Sequence, residues 1–163
     1  MKKPDYSPLI VIIFVFAFIT QLFSQEPMST EKLVKESDVI ATGKVTKIKC
    51  EWNRPKDFIW SYVTLEIQNQ LKGCGGKELI IKEGGGELDG RKCEASYADQ
   101  YKISEPVLVF LKRMPGSIYR LTEQHRKYKI VGESAVNNTR GKKYTKQFLN
   151  EIKTLIEKQA NKN

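Results

Sequence analysis

Along residues 58–71, FIWSYVTLEIQNQL, apolar and polar positions alternate with a period of two. Ile59, Val63, Leu65 and Ile67 share one face, and Phe58, Trp60, Tyr62, Thr64 and Glu66 share the other. Successive side chains of a strand point to opposite faces, so this alternation predicts a half-buried strand. Residues 39–52, VIATGKVTKIKCEW, are rich in Val, Ile and Thr and predict a second long strand. Gly43 inside it predicts a bulge or sharp bend. ELIIKE (78–83) reads as a short strand, and IYRLTEQ (118–124) and KYKIVG (127–132) as two more. PVLVFLKR (106–113) is almost continuously apolar, as in a central strand buried on both faces. Turns are expected at 53–57, 72–77 and 114–117, and a polar loop at 133–143.

Two segments carry a helical period instead. Residues 29–38 open on an N-capping Ser29 or Thr30 and offer Leu33 and Val34 to a core. Near the end, Phe148, Leu149, Ile152, Leu155 and Ile156 recur at three- and four-residue intervals, which predicts an amphipathic helix. Strand follows strand with no βαβ alternation, which argues against a parallel nucleotide-binding sheet. The expected fold is mainly β: a small OB-like Greek-key barrel with a short N-terminal helix and a C-terminal amphipathic helix.

The first residues change the picture of the chain's destination. Lys2 and Lys3 precede an apolar run from Leu9 to Thr20, a polar break at Gln21 and a small Ser24. This is the pattern of a secretory leader, and the run is shorter than the ~20 residues a spanning helix needs. Residues 1–24 are therefore expected to be a signal peptide, 25–143 the barrel domain, and 144–163 a helix and tail packed on it. The expected location is exported, periplasmic or secreted, with no integral span after cleavage.

The net charge is +9, and loss of Lys2, Lys3 and Asp5 with the leader would leave +8. A charge of this size keeps a protein soluble and draws anionic partners to it. The scatter of the lysines fits a solvated surface first. Three cysteines, Cys50, Cys74 and Cys93, leave one over if a bridge forms in an oxidising compartment. A bridge between Cys74 and Cys93 is expected, with the chain doubling back near Gly84–Gly85 to make them cross-strand neighbours. Cys50 can alternatively reach either one.

The stretch GGGELDGRKC (84–93) approaches a phosphate loop but fails at the decisive step. Arg91 and Lys92 stand where Lys and Ser or Thr are needed, no helix pattern follows, and Glu83, Glu87 and Asp89 would repel phosphate. Gly85, Gly86 and Gly90 are better read as supplying a turn between strands. His125 is the only histidine, too few for a multi-histidine metal centre, and no serine sits in a G-x-S-x-G elbow. No catalytic residue, metal or cofactor is expected. Glu87 and Asp89, two apart as on one strand face, offer the one hydrolytic alternative. Phe58, Trp60 and Tyr62, with Arg54 and Lys56 just before them, form the strongest candidate binding surface: aromatics to stack on rings, cations to hold an anion. The alternative is that these rings lie under the C-terminal helix.

Several segments together resemble a family of exported bacterial proteins of uncharacterised function: LVKESDVIATGKVTKIKCEWN, YVTLEIQNQLKG, GGGELDG and VLVFLKR. Gly85, Gly86, Glu87, Leu88, Asp89 and Gly90 match its loop; Glu105, Val107, Leu108, Phe110 and Leu111 match its later strand. Ser104 and Pro106 depart from the usual Gly and Glu. The resemblance spans roughly residues 31–131 and implies an OB-like barrel similar to netrin-like modules and tissue inhibitors of metalloproteinases. Those inhibitors reach their target's zinc through an N-terminal Cys-x-Cys, which a chain beginning at Gln25 lacks. The family offers no catalytic residues. The expected function is a non-enzymatic binding module, protein-binding or inhibitor-like, whose partner is another extracytoplasmic protein. The alternatives are a binder of anionic polysaccharide, nucleic acid or envelope surface, and a hydrolase using Glu87 and Asp89.

Overall fold

The computed structural model describes residues 28–96, 98–122, 127–137 and 141–161. The expected leader (1–24) and His125 lie outside them. The protein is mainly β, with α1 (Thr30–Glu36), β1 (Val39–Trp52), β2 (Ile59–Lys72), β3 (Glu78–Gly84), β4 (Gly86–Leu88) and β5 (Arg91–Cys93) in its first part. There follow β6 (Pro106–Met114), β7 (Ile118–Leu121), β8 (Tyr128–Val131), β9 (Ser134–Asn137), β10 (Gly141–Tyr144) and α2 (Thr145–Ala160). Among the described residues no helix is long and apolar enough to cross a membrane.

The main sheet runs β1-β2-β3-β7-β6-β8-β9-β10, and β1 also pairs with β6. That extra pairing closes β1, β2, β3, β7 and β6 into a ring, which is barrel-like. β1 can serve two neighbours because it is long and bent. Its first part pairs with β6, from Val39 opposite Leu111 to Lys44 opposite Pro106, while its whole length follows β2. Register against β2 slips between Ile40 and Ala41, between Thr42 and Gly43, and between Val45 and Lys47. Such bulges add twist and turn a strand around a barrel corner. Gly43 meets the expectation of a bend, and a Cβ there would run into the carbonyl oxygen of Glu66.

Alternation builds two cores from the same strands. Val39, Ala41, Val107, Val109 and Leu111 face the barrel interior with Val63, Leu65, Leu79 and Ile81. Ile40, Leu108 and Phe110 face outward and are covered by Leu33 and Val34 of α1 and Phe148 and Ile152 of α2, with Tyr128 and Ala135. β6 is thus buried on both faces, as its continuous apolar run predicts, and α2 lies against a side wall. Ser29 caps α1 through the amide of Lys32 at 3.2 Å, and the Lys72 ammonium holds the carbonyl of Val34 at 2.6 Å at its other end.

The stretch expected to be a polar loop at 133–143 instead contributes β9 and β10. β9 is only four residues long and mixes Ser, Ala, Val and Asn, too short to show a period; burial of Ser134, Ala135 and Asn137 comes from the tertiary structure.

Gly43→Ala forces the new methyl against backbone that cannot move without opening the β1–β2 ladder. We expect a loss of about 1–3 kcal/mol, seen as a lower urea midpoint at unchanged slope. An unchanged midpoint would mean that the bend does not depend on the missing side chain.

Candidate functional site

The strand reading of β2 places Trp60 and Tyr62 on the outside of the barrel, on the face opposite buried Ile59, Val63 and Leu65. They do not lie beneath α2, whose apolar stripe covers the wall of β1 and β6 instead. Phe58 meets Trp60 edge-on, with ring centres 5.1 Å apart. The cation that meets these rings is Lys82, the cross-strand partner of Tyr62 on β3. Its ammonium stands 4.2 Å from the Trp60 ring centre and 5.9 Å from that of Tyr62. Arg54 and Lys56 are exposed in the β1–β2 turn. A groove of about 260 Å³ runs beside Trp60 and Lys82 and continues over Met114, Arg120 and Leu121. It offers two cations, an apolar wall and the carboxyl of Glu83. Lys82 and Arg120 are additions to the expected set. Register gives the signal for Lys82, since a residue two before the inward end of β3 falls opposite Tyr62.

GGGELDGRKC forms a turn, as expected, but not where expected. Asp89 and Gly90, at φ 52° and 72°, make the two-residue tip of a separate β4–β5 hairpin. Asp-Gly suits such a tip because both positions require positive φ. The reversal is therefore five residues beyond Gly84–Gly85, and Cys93 comes opposite Gly86. Cys74 is exposed in the β2–β3 turn, and all three thiols are free, so the Cys74–Cys93 bridge is not formed. β4 ends at Leu88, which takes Asp89 off the strand face it was expected to share with Glu87. The Asp89 carboxylate accepts instead from the Trp52 indole at 2.9 Å, docking the hairpin tip on β1. Gly86 is where the hairpin crosses the barrel: a Cβ there would stand 2.7 Å from Ser61 Oγ and 2.8 Å from Cys50 Sγ.

Beside this crossing the barrel interior turns polar. Leu79 and Ile81 point inward on β3, and the next inward residue is Glu83, 8% exposed. Glu83, Cys50, Ser61, the base of the β4–β5 hairpin and residues 94–96 and 98–101 line a cavity of about 780 Å³. Among the described residues, one Glu83 oxygen and the Tyr101 hydroxyl are buried without a hydrogen-bond partner. Behind Tyr101 the Lys127 ammonium sits 4.5 Å from its ring centre and 3.0 Å from the Glu105 carboxylate, a pair with both side chains buried. Burial, reinforced by the charge of Asp99, raises the Glu83 carboxyl to about 8, against the opposing pull of Lys127 and of the Asp99 amide. Burial first, then the carboxylates of Glu83, Asp99 and Glu105, push the Tyr101 phenol well above its ordinary range. Sequence reasoning missed this cavity. Its one legible trace was an acid at the inward position that continues Leu79 and Ile81.

Among the described residues no three His, Cys, Asp or Glu side chains are grouped to hold a metal ion. The chain matches no protein-family model and no curated protein.

The raised Glu83 carboxyl has a sign for stability. Its folded value, about 8, lies above the ordinary 4.5, so the native state keeps a proton that the unfolded chain releases between them. The stabilisation linked to the neutral acid is complete below pH 4.5 and is lost as pH rises through 8. Glu83→Gln removes this loss. Between pH 4.5 and 8.5 the wild type should fall behind the variant by on the order of 3 kcal/mol in denaturant titrations. Parallel pH profiles would show instead that Glu83 ionises freely in the fold.

Proposed function

We propose that the protein is an exported, non-enzymatic binding module of the OB type that holds an acidic polysaccharide across the outer face of β2 and β3. The order of the ring supports the fold. In chain order its strands run first, second, third, fifth, fourth and back to first, and the third and fifth, β3 and β7, are parallel. Barrels of this Greek-key type bind oligonucleotides and oligosaccharides on the second and third strands and on the loops after the first and fourth. The corresponding places here are Trp60, Tyr62 and Lys82 on the strands, Arg54 and Lys56 in the first loop, and Met114 at the fourth strand's end.

The observation that carries the reading is the Lys82 ammonium held over Trp60 in a groove shared with Arg120. An ammonium against an aromatic face is attracted by the ring quadrupole. An acidic sugar presents the complement, a carboxylate or sulfate for Lys82 and Arg120 and a ring for the apolar wall. The basic charge of the chain would draw such a polymer in at low salt. The two cations beside the aromatic wall support the polymer reading over a protein-binding or inhibitor-like one.

Anisotropy titration of a labelled heparin oligosaccharide measures the proposal, with a single-stranded oligonucleotide in parallel. Trp60→Ala and Lys82→Ala should each weaken heparin binding roughly tenfold, ~1.4 kcal/mol, and Lys82→Ala should also flatten its salt dependence. Wild-type binding retained in both variants sinks the groove as the site, and preference for the oligonucleotide moves the ligand class to nucleic acid.

A further inference from the structure

We propose that the cavity at the polar end of the barrel is a second binding site, which accepts a primary ammonium group with Glu83 as its counter-ion. Its charge differs from that of the basic outer groove, and Glu83 borders both. Among the described residues its lining carries Glu83, Glu87, Glu94 and Asp99 and one cation, Lys92, on a chain whose net charge is +9. Lys92 is already engaged with Glu94 at 2.5 Å. Among the described residues of the lining no second cation stands against Glu83 and Glu87. A concave surface of one sign focuses its field on the space it encloses.

Charge alone would describe many acidic surfaces; Glu83 is different. It is 8% exposed, it belongs to a strand whose other inward residues are apolar, and one of its oxygens has no partner. A buried carboxylate oxygen without a donor costs free energy, so such a group usually has a use. The Tyr101 hydroxyl, also buried and unpartnered, supplies a second polar contact in the same cavity. Ile48 and Val63 add an apolar wall for an alkyl stem. At about 780 Å³ the space is within the range of small-molecule sites. A divalent metal fits less well, since no three metal-ligating side chains are grouped among the described residues. The fold also shows how it handles an ammonium: Lys127 is held nearby by the Glu105 carboxylate and the Tyr101 ring. The ligand would repeat that arrangement from the other side.

The groups facing Glu83 are Asp99 and Tyr101 from the crossover, Lys127 ahead of β8, and Glu87, Lys92 and Glu94 from the hairpin. With Glu83 neutral at pH 7, an incoming ammonium must displace its proton to solvent. Binding would then release nearly one proton at pH 7 and less as pH rises above 8.

The shared chemistry has two sources, a free alkylamine or the lysine side chain of another protein. Calorimetric titration of the purified protein with butylammonium and with Nα-acetyl-lysine methylamide separates them, with butanol as the neutral control. We expect saturable binding of at least one ammonium probe, a heat that changes with buffer ionisation enthalpy, and no binding of butanol. Stronger binding of butylammonium assigns a free amine; stronger binding of the lysine derivative assigns a protein side chain. Glu83→Gln should weaken binding at least tenfold and abolish proton release. Tyr101→Phe should weaken it severalfold, and serves if Glu83→Gln fails to fold. Absence of saturable binding by either probe, equal binding of butanol, or full affinity in a folded Glu83→Gln protein overturns the proposal.

Discussion

The structure depends on β1 being hydrogen-bonded along both edges. A strand can pair with β2 from Ile40 to Trp52 and still reach β6 only if it coils, and coiling needs the bulges between Ile40 and Lys47 and a bare Cα at Gly43. Once β1 closes the ring, the alternation along β1 and β6 has only one consistent reading. Val39, Ala41, Val107, Val109 and Leu111 go inside, and Ile40, Leu108 and Phe110 go out. The outward set needs cover, and α1 and α2 provide it. The apolar stripe of α2 thus belongs to the same arrangement as the bend in β1.

Closure also decides where chemistry is possible. The helices cover the β1–β6 wall, so the outer surface of β2 and β3 is left bare, and Trp60, Tyr62 and Lys82 stand there. Inside, apolar layers fill the barrel as far as Ile81. At the next inward step the chain places Glu83, beside a glycine hairpin that crosses close to Cys50 and Ser61. The barrel therefore has a basic aromatic flank and an acidic end. Glu83 borders both, at the point where the flank meets the barrel end.

Much of this architecture was legible in the chain. Period two in 58–71, the long β-branched run at 39–52, the double-buried run at 106–113 and the helical stripe ending at Ile156 each correspond to an observed element. The parts that were not legible depend on distant neighbours. β9 is too short to carry a period, and its burial is imposed by β8 and α2. The reversal in GGGELDGRKC was placed at its first glycines because they are the densest; the Asp89–Gly90 pair makes the turn, and that moves Cys93 away from Cys74. For the outer face, the aromatic residues were visible but their cation was not, because Lys82 lies twenty residues beyond Tyr62 and meets it only through strand register. Glu83 looked like one more surface acid at the end of ELIIKE. Only the inward direction set by Leu79 and Ile81 distinguishes it.

Native-state hydrogen exchange of the β1 amides tests the closed ring most directly. If β1 is held on both edges, the paired amides between Ile40 and Val45 should exchange only through global unfolding, with opening free energies equal to that from denaturant titration. Amides in the far half of β1, beyond Ile48, pair only with β2 and should open at lower cost. Equal, low protection along the whole strand would show that the contact with β6 does not close the barrel, and the account of both sites would fall with it.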